Sequence, residues 1–352
     1  MLYTSYERKI KMRAGFIERA EVAYYKDVEE PVLENASDVK IQVKATGICG
    51  SEVHAYHGKH PYRIPPVVSG HEFAGVVVEV GKGVRRCKVG DRVTAEPQYG
   101  CGSCPACKAG KYNICSQKKV LGSGGWSGSF GEYIVVPEQT IVPLSDSVSY
   151  EQGALIEPIA VGMHAVRKNH VSIDDTILII GAGTIGLGLL LSVMVCNPRC
   201  VVMADVVDYN LEIARQMGCT YVINNQKENL EEKIKEITDG QGADITFLAF
   251  GNASVVEEAA KCTKRGGIVS EIALMPNGEG APYALIQAKE IAVIGSNMYT
   301  YDDYMAVMDC ISKGVMDTSL LVTHRYPIEQ MKEAMEMADK RPEPVIKVMM
   351  SF

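Results

Sequence analysis

Two short stretches bring unlike metal ligands close together. Cys49-Gly50-Ser51-Glu52-Val53-His54 and, about twenty residues later, Gly70-His71-Glu72 supply a thiolate, an imidazole and a carboxylate, each a zinc ligand by type. Ser51 adds a hydroxyl and His54 a second imidazole, the groups that a proton relay requires. A zinc held by three such ligands keeps an open position, so the chemistry these residues suggest is catalytic.

A second ligand set has a different character. Cys101, Cys104, Cys107 and Cys115 are separated by two, two and seven residues, with Gly102, Pro105 and Gly110 between them to permit tight turns. Four thiolates close a tetrahedral shell and leave no open position, so the expectation is a structural zinc. An iron–sulfur cluster fits by ligand type, but the last spacing is not that of the common bacterial ferredoxin run.

The third feature is Gly181-Ala182-Gly183-Thr184-Ile185-Gly186. Glycine-rich turns are common, and context decides this one. It follows the apolar run Ile177 to Ile180 and opens an apolar helix from Leu187 to Cys196, as a pyrophosphate site at a helix N-terminus requires. Asp205, nineteen residues past Gly186, ends the next strand, where a carboxylate accepts hydrogen bonds from the adenine ribose hydroxyls. Its charge would repel a 2′-phosphate, and no Arg or Lys follows until Arg215, so NAD is favoured over NADP.

The elements that position these groups change character along the chain. Val39 to Val43 alternates apolar and polar residues, Phe73 to Gly81 is β-branched and closed by glycine, and Val89 to Val93 follows a turn. Residues up to about 150 therefore read as a strand-rich barrel with inserted loops. Ala154 to Arg167 is apolar at helical spacing. Beyond it, runs suited to buried parallel strands (Ile177 to Ile180, Cys200 to Ala204, Ile245 to Phe250, Gly267 to Val269, Ile291 to Ile294) alternate with helices such as Leu211 to Gly218 and Leu230 to Thr238. That alternation predicts an α/β doubly wound parallel sheet. After Tyr299 the chain turns helical, with Pro327 placed for a helix N1 position, and ends in a strand from Val345 to Met350.

Composition bounds the partners. The 352 residues suffice for two domains, and a formal charge of −7 argues against a nucleic-acid surface. The N-terminal fifteen residues carry no apolar signal region and no apolar run reaches eighteen residues, so the expectation is a cytoplasmic protein with no membrane span. Of eleven cysteines, five fall in the two ligand sets; the other six (Cys87, Cys196, Cys200, Cys219, Cys262, Cys310) read as small buried hydrophobes.

Taken in order, Gly47-Ile48-Cys49-Gly50-Ser51, Gly70-His71-Glu72-Phe73-Ala74-Gly75, the four-cysteine lobe, Glu157-Pro158 and Gly181-Ala182-Gly183 resemble the zinc-containing medium-chain dehydrogenases. Ala154 to Pro158 and Leu321 to Arg325 look like the sorbitol and polyol dehydrogenase branch. The resemblance implies a GroES-like β-rich catalytic domain (1–160, with the zinc lobe at 97–117), a Rossmann domain (161–298) and a return to the catalytic domain (299–352). It implies one catalytic and one structural zinc, NAD, a small-molecule alcohol substrate and a homodimer or homotetramer. Cys49 and His71 are then natural metal ligands, with Glu72 or Glu157 as the carboxylate. A regular strand would point His71 and Glu72 to opposite faces, so either the backbone bends or one glutamate stands behind the other. Zinc with Cys49 and one glutamate is neutral and a second glutamate makes the site anionic, so one is expected on the metal at a time. The substrate alkoxide would deliver hydride to the nicotinamide, while Ser51 and His54 carry its proton to solvent.

Substrate is where the resemblance weakens. Met298-Tyr299 stands where the sorbitol branch commonly has an arginine before the tyrosine, and Ala55 replaces an aromatic residue, with Tyr56 one further on. Tyr56, Met298, Tyr299 and Trp126 are the candidates for the pocket wall. His57, Lys59, His60 and Arg63 read as a solvated basic loop, with recognition of a substrate anion as the alternative. Threonine, butanediol and simple alcohol dehydrogenases are competing readings on the same scaffold, and a non-catalytic zinc and dinucleotide-binding protein is the competing class.

Overall fold

A computed structural model describes residues 10–274 and 281–352; residues 1–9, part of the N-terminal segment read above, lie outside the described residues. The chain forms two compact units, one running up to Glu157 and resuming at Val322, the other spanning Pro158–Leu321. The first crossing lies close to the expected boundary at 160. The second lies at 321/322 rather than 298/299, because the helix Tyr301–Ser312 belongs to the second unit. Asp303 on that helix binds His164 Nδ1 at 2.7 Å and Arg167 Nη1 at 3.0 Å, tying it to the helix Tyr150–Lys168.

In the first unit, a seven-stranded sheet has the long strand Asp38–Ile48 at its centre. It pairs antiparallel with Glu72–Val80 on one side and Lys347–Ser351 on the other, setting Gly47 opposite Glu72 and Ile48 opposite Val348. Tyr133–Pro137 also pairs with it, and Val322–Pro327 lies parallel to the last strand. Val39, Ile41, Val43, Phe73, Val77 and Val93, all fully buried, form the centre of its core. Alternation along these strands is what places the apolar residues inside.

The second unit is a six-stranded parallel sheet in the order Tyr221–Asn224, Cys200–Asp205, Thr176–Ile180, Ala243–Leu248, Thr263–Glu271, Ala292–Gly295. This is the doubly wound dinucleotide-binding order, whose reversal beside Thr176–Ile180 opens a crevice at the strand C-termini. The five apolar runs predicted as parallel strands fall in five of these strands; the edge strand Tyr221–Asn224 was not among them. Pro327 differs from expectation: it ends the strand Val322–Pro327, and a 3-10 turn, Ile328–Gln330, intervenes before the helix Met331–Lys340. Proline tolerates both places, because a strand end needs no further N–H donor.

Candidate functional site

Cys49 follows the central strand directly and caps the short helix Gly50–Tyr56. Its backbone N–H donates to Glu52 Oε2 at 3.1 Å, as in a capping box, where an acid at the third helical position reaches back to the cap. Glu52 is fully buried and is the hub of the site. Its Oε1 accepts from Arg63 Nη1 at 2.7 Å, from Ser69 Oγ at 3.1 Å and from His71 Nδ1 at 2.9 Å. Burial pushes its pKa up, but His71 and Arg63 outweigh that and hold it well below the usual carboxylate range. The sequence reading assigned Glu52 no role. The signal was present, since Glu52 stands three residues after a residue that begins a helix.

His71 does not lie in a regular strand. Gly70 has φ +94, a left-handed conformation that glycine adopts freely, and the strand begins only at Glu72. The bend lets both His71 and Glu72 face one position. His71, Glu72 and Glu157 offer ligand atoms all within 4.8 Å of one another, as do Cys49, Glu52 and His71. His71 Nε2 lies 3.9 Å from Glu157 Oε1 on the helix Tyr150–Lys168. Ligand atoms about 2.0–2.3 Å from a zinc ion lie roughly 3.3–3.8 Å apart in a tetrahedron, so the set fits the metal. Burial disfavours the imidazolium of His71, yet Glu52, and after it Glu157, raise its pKa well above the ordinary value.

Glu72 has a partner that the sequence reading did not flag. Lys347, 2% exposed, donates its Nζ to both Glu72 oxygens at 2.7 Å and to the carbonyl of Ile48 at 3.1 Å. Burial lowers the Lys347 pKa, but Glu72, with Cys49 next, raises it overall. Strand register produces this meeting, and Gly47 makes room for it: a Cβ there would lie 2.1 Å from Glu72 Oε2. Lys347 alters the charge expectation. With zinc, the Cys49 thiolate and both glutamates would sum to −1, and Lys347 brings the set to neutrality. Charge alone therefore does not keep the second carboxylate away.

Ser51 and His54 sit one turn apart on the helix Gly50–Tyr56 and share a face. Ser51 Oγ is 3.4 Å from Glu52 Oε2, and His54 is exposed. The basic loop is not solvated as expected. Arg63 is 2% exposed and His60 8%. His60 Nδ1 accepts from the backbone of Arg63 at 3.0 Å, and burial, with Arg63 nearby, pushes its pKa down to about 4. His57 Nε2 is 2.8 Å from Asp339.

The four cysteines form a separate cluster. Sγ atoms of Cys101 and Cys107 lie 4.0 Å apart and those of Cys104 and Cys115 3.8 Å. Four thiolates about 2.3 Å from zinc have tetrahedral edges of about 3.8 Å, so this set also fits. Backbone N–H groups of Cys104, Cys107 and Gln117 donate to the sulfurs of Cys101, Cys104 and Cys115 at 3.4 Å, an environment that favours thiolates. Bonds from Ser103 hold Cys101 down at about 5, whereas burial and the neighbouring thiols push Cys107 up to about 12.

In the second unit Gly181 to Gly186 joins the strand Thr176–Ile180 to the helix Thr184–Val195. A Cβ on Gly186 would lie 1.7 Å from the carbonyl oxygen of Gly181, while one on Gly183 would meet nothing within 4 Å. The first glycine lets helix and strand pack; the second leaves the backbone open to a ligand. Thr184 and Ile185 form the first turn, and Asp205 accepts from Ala182 N at 2.6 Å and Val207 N at 2.8 Å.

The candidates for the pocket wall fare differently. Tyr56 is packed in the core of the first unit with its hydroxyl donated to the Glu21 carbonyl at 3.0 Å, and Tyr299 is fully buried against Tyr304. Both are committed to packing. Trp126 donates Nε1 to Val135 O at 2.8 Å and lines a cleft of about 980 Å³ with Tyr99, Lys118 and Val136; that lining includes none of Cys49, His71, Glu72 or Glu157. Met298 is half-buried with φ +52, a conformation a side chain rarely adopts.

Comparison with known proteins agrees with this layout. Residues 35–146 match the alcohol dehydrogenase GroES-like domain and residues 185–313 match the zinc-binding dehydrogenase family. The chain is 35% identical to sorbitol dehydrogenase of Bacillus subtilis over 90% of each chain. It is also 35% identical to D-arabitol-phosphate dehydrogenase of Enterococcus avium over 86% of this chain and 87% of that one. A crystal structure of an Escherichia coli oxidoreductase/dehydrogenase of unknown specificity superposes with a TM-score of 0.92 at 32% identity, covering 97% of this chain and 99% of that one. The site, the fold and these similarities lead to one conclusion: the chain belongs to the zinc-containing medium-chain dehydrogenases, on the sorbitol dehydrogenase-like branch.

Proposed function

We propose that the protein is a zinc-dependent dehydrogenase that oxidises an uncharged secondary alcohol, of the polyol, sugar alcohol or cyclitol type, to a ketone with NAD. The observation that carries this reading is His71 as the member common to two ligand groups, half-buried Cys49 with Glu52 on one side and buried Glu72 with Glu157 on the other. Zinc bound there supplies a Lewis acid that lowers the pKa of the substrate hydroxyl, and NAD supplies the hydride acceptor. Cys49 and His71, with Glu72 or Glu157, would hold that metal. The Glu52 carboxylate accepts a hydrogen bond from His71 Nδ1–H, which leaves Nε2 as the free ligand nitrogen. Ser51 receives the proton of the substrate hydroxyl and His54 releases it to solvent. The N-terminal turn at Gly183 to Gly186 binds the pyrophosphate, and Asp205 binds the adenine ribose. Cys101, Cys104, Cys107 and Cys115 hold a structural zinc.

The absence of charge on the substrate is argued from the basic loop. Arg63 is bound to Glu52, His60 is an acceptor and His57 faces Asp339, so three of the four basic residues are already engaged. The strand Ala292–Gly295 is the edge of its sheet, with Val293 44% exposed, and pairing of two such edges gives a homodimer. All eleven cysteines are free, which suits the reducing cytoplasm.

Initial rates with polyols, cyclitols, butanediol, threonine and sugar-alcohol phosphates, each with NAD and NADP, test the proposal through nicotinamide absorbance. An uncharged polyol or cyclitol with NAD is expected to give the highest kcat/KM. Turnover confined to phosphorylated substrates, or to NADP, would refute it.

A further inference from the structure

We propose that Arg63 is a positioning residue of the metal centre: acting through Glu52, it fixes the His71 imidazole and the start of the helix that carries Cys49 and Ser51. This rests on the reading of Cys49 and His71 as ligands of a catalytic zinc. Arg63 lies in the segment between the helix Gly50–Tyr56 and the strand Glu72–Val80, and a guanidinium is rarely enclosed as fully as this one, at 2% exposed.

Its setting is centred on the Glu52 carboxylate. Nη1 donates to Glu52 Oε1 at 2.7 Å and lies 3.4 Å from Ser69 Oγ, itself fully buried and bonded to the same carboxylate oxygen. A Cβ on Gly122, whose φ is +73, would lie 2.8 Å from Nη1, so the guanidinium rests against bare backbone. Among the described residues Arg63 Nε is buried with no hydrogen-bond partner, and a group oriented for its own satisfaction would not leave that donor unpaired. The orientation serves Glu52 instead.

Glu52 then transmits the constraint in two directions. Oε1 is shared by Arg63, Ser69 and His71, while Oε2 takes the N–H of Cys49 and the hydroxyl of Ser51. The planar carboxylate cannot rotate without disturbing donors on both oxygens. With Arg63 gone, its tightest contact on the Oε1 side is lost, and the angle at which His71 meets the metal loosens with it. Partners of this kind behind a metal ligand typically change metal affinity by about 10–100-fold.

The test measures zinc affinity on the full chain by competition with a chromophoric chelator, with the four-cysteine lobe as internal reference. Arg63→Met is expected to weaken the Cys49/His71 site by at least about tenfold and leave the lobe unchanged. The double variant Glu52→Gln, Arg63→Met removes both buried charges, so it keeps the test decisive if the single variant fails to fold. It retains an amide oxygen for His71 Nδ1, and the proposal predicts that it binds zinc at least about tenfold more weakly than Glu52→Gln alone. If Arg63 served only as a counter-charge, the double variant would bind zinc as tightly as Glu52→Gln alone, and that result would overturn the proposal. So would a folded Arg63→Met with parental affinity. A parent chain that binds zinc in the lobe alone would overturn the catalytic-zinc reading itself; two zinc ions in the parent with Arg63→Met unaffected would overturn only the role of Arg63.

Discussion

At His71 a proton and a metal compete for the same nitrogen. Glu52 and Glu157 raise its pKa above the ordinary value, so protonation of the ring opposes zinc binding there. Zinc content after dialysis against a metal buffer at a series of pH values is therefore expected to fall at the His71 site as pH drops; no change from pH to pH would contradict the coupling. His60 has the opposite bias. Its folded pKa of about 4 lies below the ordinary 6.5, so the unfolded chain takes the proton first. The stabilisation from keeping His60 neutral is complete above 6.5 and is lost as pH falls toward 4. Urea melts of parent and His60→Asn should converge over that window. For His54, alanine is expected to lower turnover by about tenfold or more at neutral pH, with partial recovery as pH rises; an unchanged pH–rate profile would remove it from the relay. Cys49, His71 and Glu72 stood out in the sequence as candidate ligands because they are the right types at close spacing. Arg63 did not, since a loop holding His57, Lys59 and His60 looks solvated until Glu52 is found buried beneath it. Tyr56 and Tyr299 are packed in the interior, a setting that an aromatic beside a motif takes as readily as a pocket wall.

Elements meet at the metal centre because one central strand sets their register. Gly47 faces Glu72 across one ladder and Ile48 faces Val348 across the other, which delivers Lys347 to Glu72 from 275 residues away. Lys347 was the least legible member of the site, although one lysine in the apolar run Val345 to Met350 was a usable signal. The pair is almost wholly enclosed, and breaking a buried ion pair costs about 3–5 kcal/mol. Lys347→Met should therefore show a loss of that order in urea melts, and Glu72→Gln combined with it should recover much of the loss; a melt unchanged in Lys347→Met would contradict the assigned contact. Strand and helix runs in the second unit were read from apolar continuity alone, and the parallel sheet follows those runs closely. Pro327 was misplaced because its fixed φ suits a strand end as well as a helix start.

On the scale of the whole chain, the two units divide the proposed chemistry: the candidate ligands and relay residues lie in the first, the glycine-rich turn and Asp205 in the second. Their separate character was visible as a change from alternating to continuous apolar runs near Gly153. The return point at Val322 was not, because a helix such as Tyr301–Ser312 carries no mark of which core it joins. Edge pairing through Ala292–Gly295 predicts a dimer by light scattering, with Val293→Pro shifting it toward monomer; a monomeric parent would contradict it. The central claim is that Cys49 and His71 hold a second, catalytic zinc. Its most direct measurement is zinc per chain, by elemental analysis, alongside alcohol-dependent NAD reduction in the parent and in Cys49→Ala. Two zinc ions in the parent, one in the variant, and loss of turnover with NAD binding retained is the predicted result. One zinc in the parent, or a Cys49→Ala that keeps two and turns over normally, would contradict it.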